Sequence, residues 1–337
     1  MTHDSDFEAM LKAALGNTTS DLLDDRAIES NVPDEDIPPN HRSGYIVVLG
    51  QPNVGKSTLV NALLGEKIAI VSPKPQTTRL RQLGILTRPD CQAVFVDTPG
   101  LHKPKTELGA FMQSVVDNAL EDADVILCVV DASQRPNAAD KRLIERLNQL
   151  KQTAKVVLVL NKMDLAKDPA AFSAVYHEYE QALAEADIFS TVATRDDGIE
   201  ALRERLIALL PLGPRYYPAD QVSDLNLRAI CAELLREQVL LQTYHEVPHG
   251  VAVEVTDFSK REGNTVYLRA VLYVERDTQK GIVIGKKGEK LKTIASAARQ
   301  QIQAFIGMTV YLDVRVDVMA GWRDDPKALV RFGYRLS

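Results

Sequence analysis

The segment Gly50-Gln51-Pro52-Asn53-Val54-Gly55-Lys56-Ser57 constrains this chain more than any other stretch. It follows an apolar, β-branched run, Tyr45–Leu49, and opens a helix-spaced one, Thr58–Leu64. The pattern G-x-x-x-x-G-K-[ST] at a strand-to-helix turn is a phosphate cradle. Glycine lets backbone N–H groups close on an anion without a Cβ in the way, and the helix N-terminus supplies unpaired donors and a favourable dipole. Lys56 is placed to neutralise β and γ phosphates, and Ser57 to offer a hydroxyl to Mg²⁺, a cation that keeps most of its waters.

A turn of this kind needs a buried strand before it and a helix after it, and the rest of residues 44–214 repeats that alternation. Ala93–Val96, Val125–Val130 and Lys155–Leu160 read as strands, and Gly109–Glu121, Ala139–Leu150, Ala171–Ala186 and Glu200–Leu210 as helices. The expectation is an α/β P-loop domain, doubly wound on a mostly parallel sheet. The prolines at 211, 214 and 218 end it, with a linker at 215–224. Residues 225–337 read differently: a helix over Leu225–Gln242, strands over Val251–Phe258 and Thr265–Arg276, helices around a turn at Gly285–Gly288, a strand over Met308–Val318 and a short helix over Pro326–Phe332. That order, α-β-β-α-α-β, is a small α+β domain.

Composition agrees with two domains. At 337 residues, 45% hydrophobic and 26% charged, the chain can bury sizeable cores, and collagen-like, low-complexity and disulfide-scaffold classes are excluded. No run reaches the roughly 18 apolar residues of a membrane span, and the acidic N-terminal segment does not read as a secretory signal. Cys91, Cys128 and Cys231 are sparse and odd in number, which suits a reducing cytosol, with Cys91 and Cys128 expected as buried core thiols. Charge is uneven. Residues 1–43 hold three basic and ten acidic side chains, a net −7; residues 44–214 are near neutral at −2; residues 215–337 carry +3, for the overall −6. The first 43 residues read as a disordered acidic extension with a marginal helix over 5–15.

Two further motifs follow strands. Asp97-Thr98-Pro99-Gly100 places a carboxylate at a strand end, where it can hold Mg²⁺ through water, and a glycine whose N–H can face a γ-phosphate. Asn161-Lys162-Met163-Asp164 places a carboxylate able to accept from the N1–H and N2 amine of guanine, a donor pair adenine lacks. Near the C-terminus, Gly285-Lys286-Lys287-Gly288 is a turn between helices with Lys280, Lys290 and Lys292 close by; a G-x-x-G turn alone is usually structural, and the lysines are what set this one apart.

The phosphate loop, the Asp97 and Asn161 motifs, and the segment Pro75-Gln76-Thr77-Thr78-Arg79 between the first two, resemble the Era family of GTPases. So does the C-terminal stretch from Ile282 through Gly285–Gly288 to Gly321-Trp322. The resemblance covers about residues 44–335 and implies a Ras-like GTPase domain (44–214) followed by a type II KH domain (225–337). By that resemblance the chain binds GTP and GDP, hydrolyses GTP with Mg²⁺, binds 16S ribosomal RNA and assists assembly of the 30S subunit. A monomeric cytoplasmic protein is implied, with peripheral contact at the inner membrane face.

It also implies site residues. Gly50 to Thr58, Asp97 to Gly100, Asn161, Lys162, Asp164, Ala193 and Thr194 would bind nucleotide. Lys56, Asn53, Asp97 and Gly100 would act in hydrolysis. Ser57, Thr78 and, through water, Asp97 would hold Mg²⁺, with Thr77 the alternative to Thr78. Gly285, Lys286, Lys287, Gly288 and Lys290 would meet RNA. In related GTPases an asparagine at the place of Asn53 helps hold K⁺, whereas the residue type alone fits a tight turn. Three positions depart from familiar patterns. Leu101 stands where Ras-type GTPases carry a water-orienting glutamine. Val192-Ala193-Thr194 replaces the usual Ser-Ala, leaving the Ala193 N–H to meet the guanine oxygen. The acidic extension lies outside the family core. An RNA-binding scaffold that has lost hydrolysis is the alternative function. Trp322 is expected to be buried rather than to stack on bases.

Overall fold

The computed structural model describes residues 37–334 apart from 73, 75, 102, 103, 151, 152, 167, 184, 185, 262 and 263. Most of the acidic extension, with the helix expected at 5–15, lies outside the described residues. The chain divides into two compact units between Asp224 and Leu225.

The first unit is built on a six-stranded sheet, and its elements run β1 (Arg42–Leu49), α1 (Lys56–Leu64), β2 (Gln82–Arg88), β3 (Cys91–Asp97), α2 (Glu107–Glu121), β4 (Val125–Asp131), α3 (Ala138–Leu150), β5 (Lys155–Asn161), α4 (Pro169–Ala182), β6 (Asp187–Thr191) and α5 (Ile199–Leu209). The strand order is β2-β3-β1-β4-β5-β6. All neighbours are parallel except β2, which pairs antiparallel with β3. Both faces are covered, which is why β1, β3, β4 and β5 are almost continuously apolar. Val47, Leu49 and Val96 pack with α2, α3 and α4 through Val116, Leu147 and Tyr179. Ile46, Val48 and Phe95 pack with α1 and α5 through Leu59, Leu63 and Leu202. Cys91 and Cys128 are buried, as expected.

Several boundaries differ from the sequence expectation. β2 and β6 are additional strands, both at sheet edges, with polar residues where central strands have valine. The expected helix to Ala186 stops at Ala182. β1 starts at Arg42, so the last residues assigned to the extension belong to the fold. Ser43 N donates to the Pro211 carbonyl, Arg42 Nη1 to the Leu210 carbonyl at 2.5 Å, and His41 Nδ1 lies 2.9 Å from the Gly213 carbonyl. These residues are held by hydrogen bonds rather than apolar burial, so hydropathy does not mark them. Residues 215–224 likewise lie on this unit. The buried Gln92 amide accepts from Tyr216 N (2.7 Å) and Tyr217 N (2.9 Å), and Leu83 N donates to Asp224 Oδ1 at 3.0 Å.

The second unit runs α6 (Leu227–Gln242), β7 (Ala252–Arg261), β8 (Thr265–Val274), α7 (Asp277–Ile284), α8 (Glu289–Ile306), β9 (Thr309–Val318) and α9 (Pro326–Arg331). Its core order is the expected α-β-β-α-α-β. β8 is central, antiparallel to β7 and parallel to β9. In α8 the buried residues Ile294, Ala298, Ile302 and Ile306 recur every four positions, one helical stripe. They meet Val266, Leu268, Ala270 and Leu272 of β8 and the Leu234 and Leu235 side of α6. Cys231 belongs to this core. Trp322 is fully buried, with Nε1 donating to the Gly250 carbonyl at 2.9 Å, as expected of a structural tryptophan.

Candidate functional site

The motifs of the first unit gather at the C-terminal ends of β1, β3, β4 and β5, the end of an open α/β sheet where ligands bind. Glycine is required at two points of the phosphate loop. At Gly50 (φ 152°) a Cβ would stand 2.3 Å from the Val129 carbonyl oxygen; at Gly55 (φ 100°) it would stand 2.3 Å from Asn161 Nδ2. Asn53 sits between them at φ 64°, a left-handed conformation that asparagine tolerates better than most residues. Lys56 opens α1 and is buried. Its Nζ donates to the carbonyls of Gly50 (3.2 Å) and Gln51 (3.1 Å), along the inside of the loop. Burial pulls its pKa down to about 8, with the Asp97 carboxylate pulling the other way.

Beside Lys56 three side-chain oxygens converge from three segments. Ser57 Oγ donates to Asp97 Oδ2 at 2.6 Å, and Thr78 Oγ1 lies 2.9 Å from Ser57 Oγ and 3.2 Å from Asp97 Oδ2. Asp97 is almost fully buried, and its Oδ1 has no hydrogen-bond partner among the described residues. Desolvation raises its pKa against the hydrogen bond from Ser57, the charge of Lys56 and the hydrogen bond from Thr78. Hydroxyls and a carboxylate with an unsatisfied oxygen form a donor set suited to a hard divalent cation. Thr77 turns away, its Oγ1 donating to the Lys74 carbonyl at 2.7 Å. A small cleft opens here, lined by Asn53, Lys56, Ser57, Thr78 and Gly100. Gly100 is fixed by close approach, since a Cβ there would lie 2.8 Å from Pro52 N. Thr98 ties its loop back to β1 through Oγ1 to the Val48 carbonyl at 2.6 Å.

Asn161 is buried and joins three loops. Its Nδ2 donates to the Val54 carbonyl at 2.9 Å, and its Oδ1 accepts from Thr191 Oγ1 (3.1 Å) and Ala193 N (3.2 Å). Its side chain therefore holds the phosphate loop, the Asn161–Asp164 turn and the loop after β6 in one arrangement. Lys162 takes a left-handed φ of 63° and its Nζ donates to Asp131 Oδ2 at 2.8 Å. Asp164 is left near the loop surface, with Arg195 Nη2 at 3.7 Å. Thr194 is exposed in the same loop.

Asp131, Asp140 and Thr191 escaped sequence reasoning. Asp131 ends β4 opposite Asn161 of β5, the same strand-end placement that marked Asp97, and that placement could have found it. Burial would raise its pKa, but hydrogen bonds from Lys162 and Ser133 leave it lowered. Asp140 accepts from Gln51 Nε2 at 2.5 Å and pins the phosphate loop to α3; nothing in its spacing announces that.

In the second unit the Gly285–Gly288 turn joins α7 to α8. Gly285 has φ 73°, and a Cβ there would lie 2.5 Å from Lys290 Cβ; Gly288 has φ 80° but open space around it. Lys286 and Lys287 are exposed.

Residues 45–162 match the family model described as 50S ribosome-binding GTPase, and residues 246–323 the KH domain model. The chain is 41% identical to GTPase Era of Ruminiclostridium cellulolyticum over 297 residues, spanning 88% of this chain and 98% of that protein. It is 43% identical to GTPase Era of Lacticaseibacillus paracasei over 87% of this chain and 97% of the relative. The chain belongs to the Era family of GTPases.

Two solved Era structures match most of the chain. A tyrosine-to-alanine variant of Aquifex aeolicus Era bound to GDP·AlF4⁻ superposes with a TM-score of 0.84 at 35% identity, covering 88% of this chain and all of the other. Era in complex with MgGDPNP and nucleotides 1506–1542 of 16S ribosomal RNA superposes with a TM-score of 0.82 at 36% identity, with the same coverage. As an Era-family enzyme the protein is a GTPase, so Leu101 does not mark a loss of hydrolysis. Leu101 packs at the edge of the core and donates its N–H to the Gly50 carbonyl at 3.1 Å, which joins the Asp97 loop to the phosphate loop. Among the described residues no helix is long and apolar enough to cross a membrane.

Proposed function

We propose that this chain couples GTP hydrolysis to recognition of 16S ribosomal RNA during assembly of the 30S subunit. The observation that carries the reading is the pairing, on one chain, of a phosphate loop locked to a guanine-reading loop by Asn161 with a type II KH unit whose Gly285–Gly288 turn is basic and exposed. The RNA bound by the related Era structure supports the choice of 16S RNA.

In this reading the Gly50–Thr58 loop wraps the phosphates, and Lys56 holds the β and γ groups. Asp164 selects guanine, with Lys162 fixed beside it by Asp131; the Ala193 N–H, expected to meet the guanine oxygen, instead donates to Asn161 Oδ1 and braces the loop. Gly100 offers its N–H to the γ-phosphate, and Asp97, Thr98 and Pro99 form the loop that senses it. Ser57, Thr78 and, through water, Asp97 hold Mg²⁺, which neutralises charge on the phosphates when bound; the convergence of their oxygens and the orphaned Asp97 Oδ1 support that set. Asn53, exposed on the loop, is assigned to K⁺, which would supply there the positive charge that an arginine finger supplies in other GTPases. In the second unit Gly285, Lys286, Lys287, Gly288 and Lys290 clamp the RNA backbone. A cytoplasmic monomer with peripheral contact at the inner membrane face is the reading that the family resemblance supports.

Crosslinking RNA to the protein in cells and mapping the sites to nucleotides tests the reading. Crosslinks concentrated near the 3′ end of 16S RNA and lost in the Lys286→Asp/Lys287→Asp variant are expected. Crosslinks scattered over messenger or 23S RNA overturn it.

A further inference from the structure

The three-stranded sheet of the second unit has two unlike faces. Helices α6 and α8 cover one, and Arg331 and Phe332 cover the Tyr273 end of the other, which is open around Tyr267 and Tyr311. On the other, β8 and β9 run in parallel register with Tyr267 opposite Tyr311, and the two rings stack with centroids 5.5 Å apart and planes 17° from parallel. Tyr311 is 64% exposed, unusual for so large a side chain. Cations surround the pair. The Arg261 guanidinium lies 5.3 Å from the Tyr267 ring centroid and that of Arg269 lies 5.6 Å from it. Arg269 also donates to the Tyr267 hydroxyl at 2.8 Å and reaches Asp313 Oδ2 at 3.2 Å, which neutralises the nearest carboxylate. Arg315 is exposed two positions further along β9 on the same face.

Two tyrosine hydroxyls and a web of arginines are a costly way to cap an empty sheet. Alternate positions of an exposed strand are more simply filled by threonine or lysine. Stacked rings with two guanidinium groups beside them present what an unpaired base needs: a π-face to lie on and cations for the flanking phosphates. No exposed leucine, isoleucine or valine adjoins the pair among the described residues, so the patch lacks the aliphatic centre of a protein-docking surface.

We propose that the open face of this sheet, centred on Tyr311 and Tyr267, is a second RNA-contact surface, which stacks an unpaired base on Tyr311 and holds its backbone with Arg261 and Arg315. It is separate from the Gly285–Gly288 clamp, which lies between α7 and α8. The strand places the two apart: Asp317 of β9, which pairs with Lys280 of α7 at 3.6 Å, is six residues from Tyr311, roughly 20 Å at the rise of an extended strand. A base on Tyr311 would therefore lie near or past the end of the roughly four nucleotides a clamp holds, so the second surface serves a longer RNA. The proposal rests on the reading of this unit as RNA-binding.

The test uses the full chain and two fluorescein-labelled, unstructured, mixed-sequence RNAs of about 5 and about 20 nucleotides, chosen around the clamp's length. Tyr311→Ala should weaken the long RNA roughly tenfold, one stacked base, and leave the short one unchanged. Tyr311→Trp should restore the long-RNA affinity, which a merely structural role would not do. Arg261→Ala should flatten the salt slope for the long RNA by roughly 0.7. Equal affinity of wild type and Tyr311→Ala for both RNAs overturns the proposal and leaves the face to a protein partner. The Lys286→Asp/Lys287→Asp variant separates the two readings: if it loses the short RNA while Tyr311→Ala loses nothing, the clamp stands and the second surface falls; if it keeps both RNAs, the KH reading itself falls.

Discussion

The nucleotide site and the Gly285–Gly288 turn, both proposed to meet phosphates through backbone and lysine, are built in opposite ways. In the first, Lys56, Asp97 and Asn161 are buried, each fixed by protein partners or by close packing. In the second, Lys286 and Lys287 reach into water from a turn that offers little besides its shape. Burial makes each group indispensable, because its loss strands a partner in a medium of low polarity. Exposure makes contributions small, additive and screened by salt. A single change should therefore disable the first site, whereas the second should weaken by steps.

The strongest challenge to that contrast is Lys56→Ala. Removing the only cation inside the loop should cost about 3–5 kcal/mol in GTP affinity, since the phosphates meet no replacement charge in a desolvated site. Isothermal calorimetry with GDP and GTP measures it; a loss under tenfold would mean that backbone N–H groups carry the site alone. The same lysine makes binding pH-dependent. Its pKa near 8 in the free protein should rise once phosphates face it, so binding takes up a proton above pH 8. Affinity should then be flat below pH 8 and fall as pH climbs through 8 toward 10. Proton uptake measured in buffers of different ionisation enthalpy checks the sign.

Asp164→Asn comes next. An amide that can turn a donor toward guanine should cost about 2–4 kcal/mol for GTP and shift preference toward xanthosine triphosphate. The long Arg195 contact at 3.7 Å will not rescue it, because that side chain lies largely in solvent. Competition between the two nucleotides is the readout, and unchanged GTP affinity would refute the assignment of this turn.

At the exposed turn, Lys286→Asp/Lys287→Asp should cost about 2 kcal/mol in single-stranded RNA affinity, two attractions having become repulsions. The slope of log affinity against log salt should flatten by roughly 1–2. GTP binding should be untouched. If the loss persists undiminished in high salt, the lysines are not acting as exposed charges and the contrast with Lys56 fails.

What the sequence makes legible follows the same division. Motifs whose chemistry forces a residue type are readable: the glycines at 50 and 55 are dictated by approach distances of 2.3 Å, and they appear as a pattern. Central strands are readable because burial on both faces leaves no alternative to Val, Ile and Leu. The edge strands β2 and β6 are not, since one side of each is free to be polar; only the Pro89-Asp90 turn between β2 and β3 hints at a hairpin. Partners chosen by three-dimensional proximity are hidden too. Asp140 reaches Gln51 across 89 positions, and His41 meets Gly213 across 172. Asn53 shows the limit from the other side: its left-handed φ is reason enough for an asparagine, and an ion adds a second reason that local geometry does not separate.

Kinetics separates them. If Asn53 helps hold K⁺, GTP hydrolysis should run several-fold faster in potassium than in sodium. Asn53→Ala should remove the difference while leaving GDP affinity nearly intact, and Asn53→Gly, which keeps the turn without the amide, should behave likewise. Equal wild-type rates in the two salts leave asparagine there for the turn alone.

The smallest effect distinguishes the two glycines of the Gly285–Gly288 turn. Gly288→Ala meets open space, so its cost is the left-handed φ of 80° alone, about 1 kcal/mol in the stability of the second unit. Gly285→Ala has a similar φ of 73° but drives its new methyl to 2.5 Å from Lys290 Cβ and 3.1 Å from Lys290 N, where α8 begins. The start of the helix must shift to admit it, so its cost should exceed that of Gly288→Ala. Urea unfolding followed by tryptophan fluorescence reports on this unit in the full chain, because Trp322 is the only tryptophan and is buried in it. Midpoints that fall in the order wild type, Gly288→Ala, Gly285→Ala are expected. Equal midpoints for the two variants would mean the helix start yields freely, and that the turn's shape is set by the phosphates it binds rather than held ready for them.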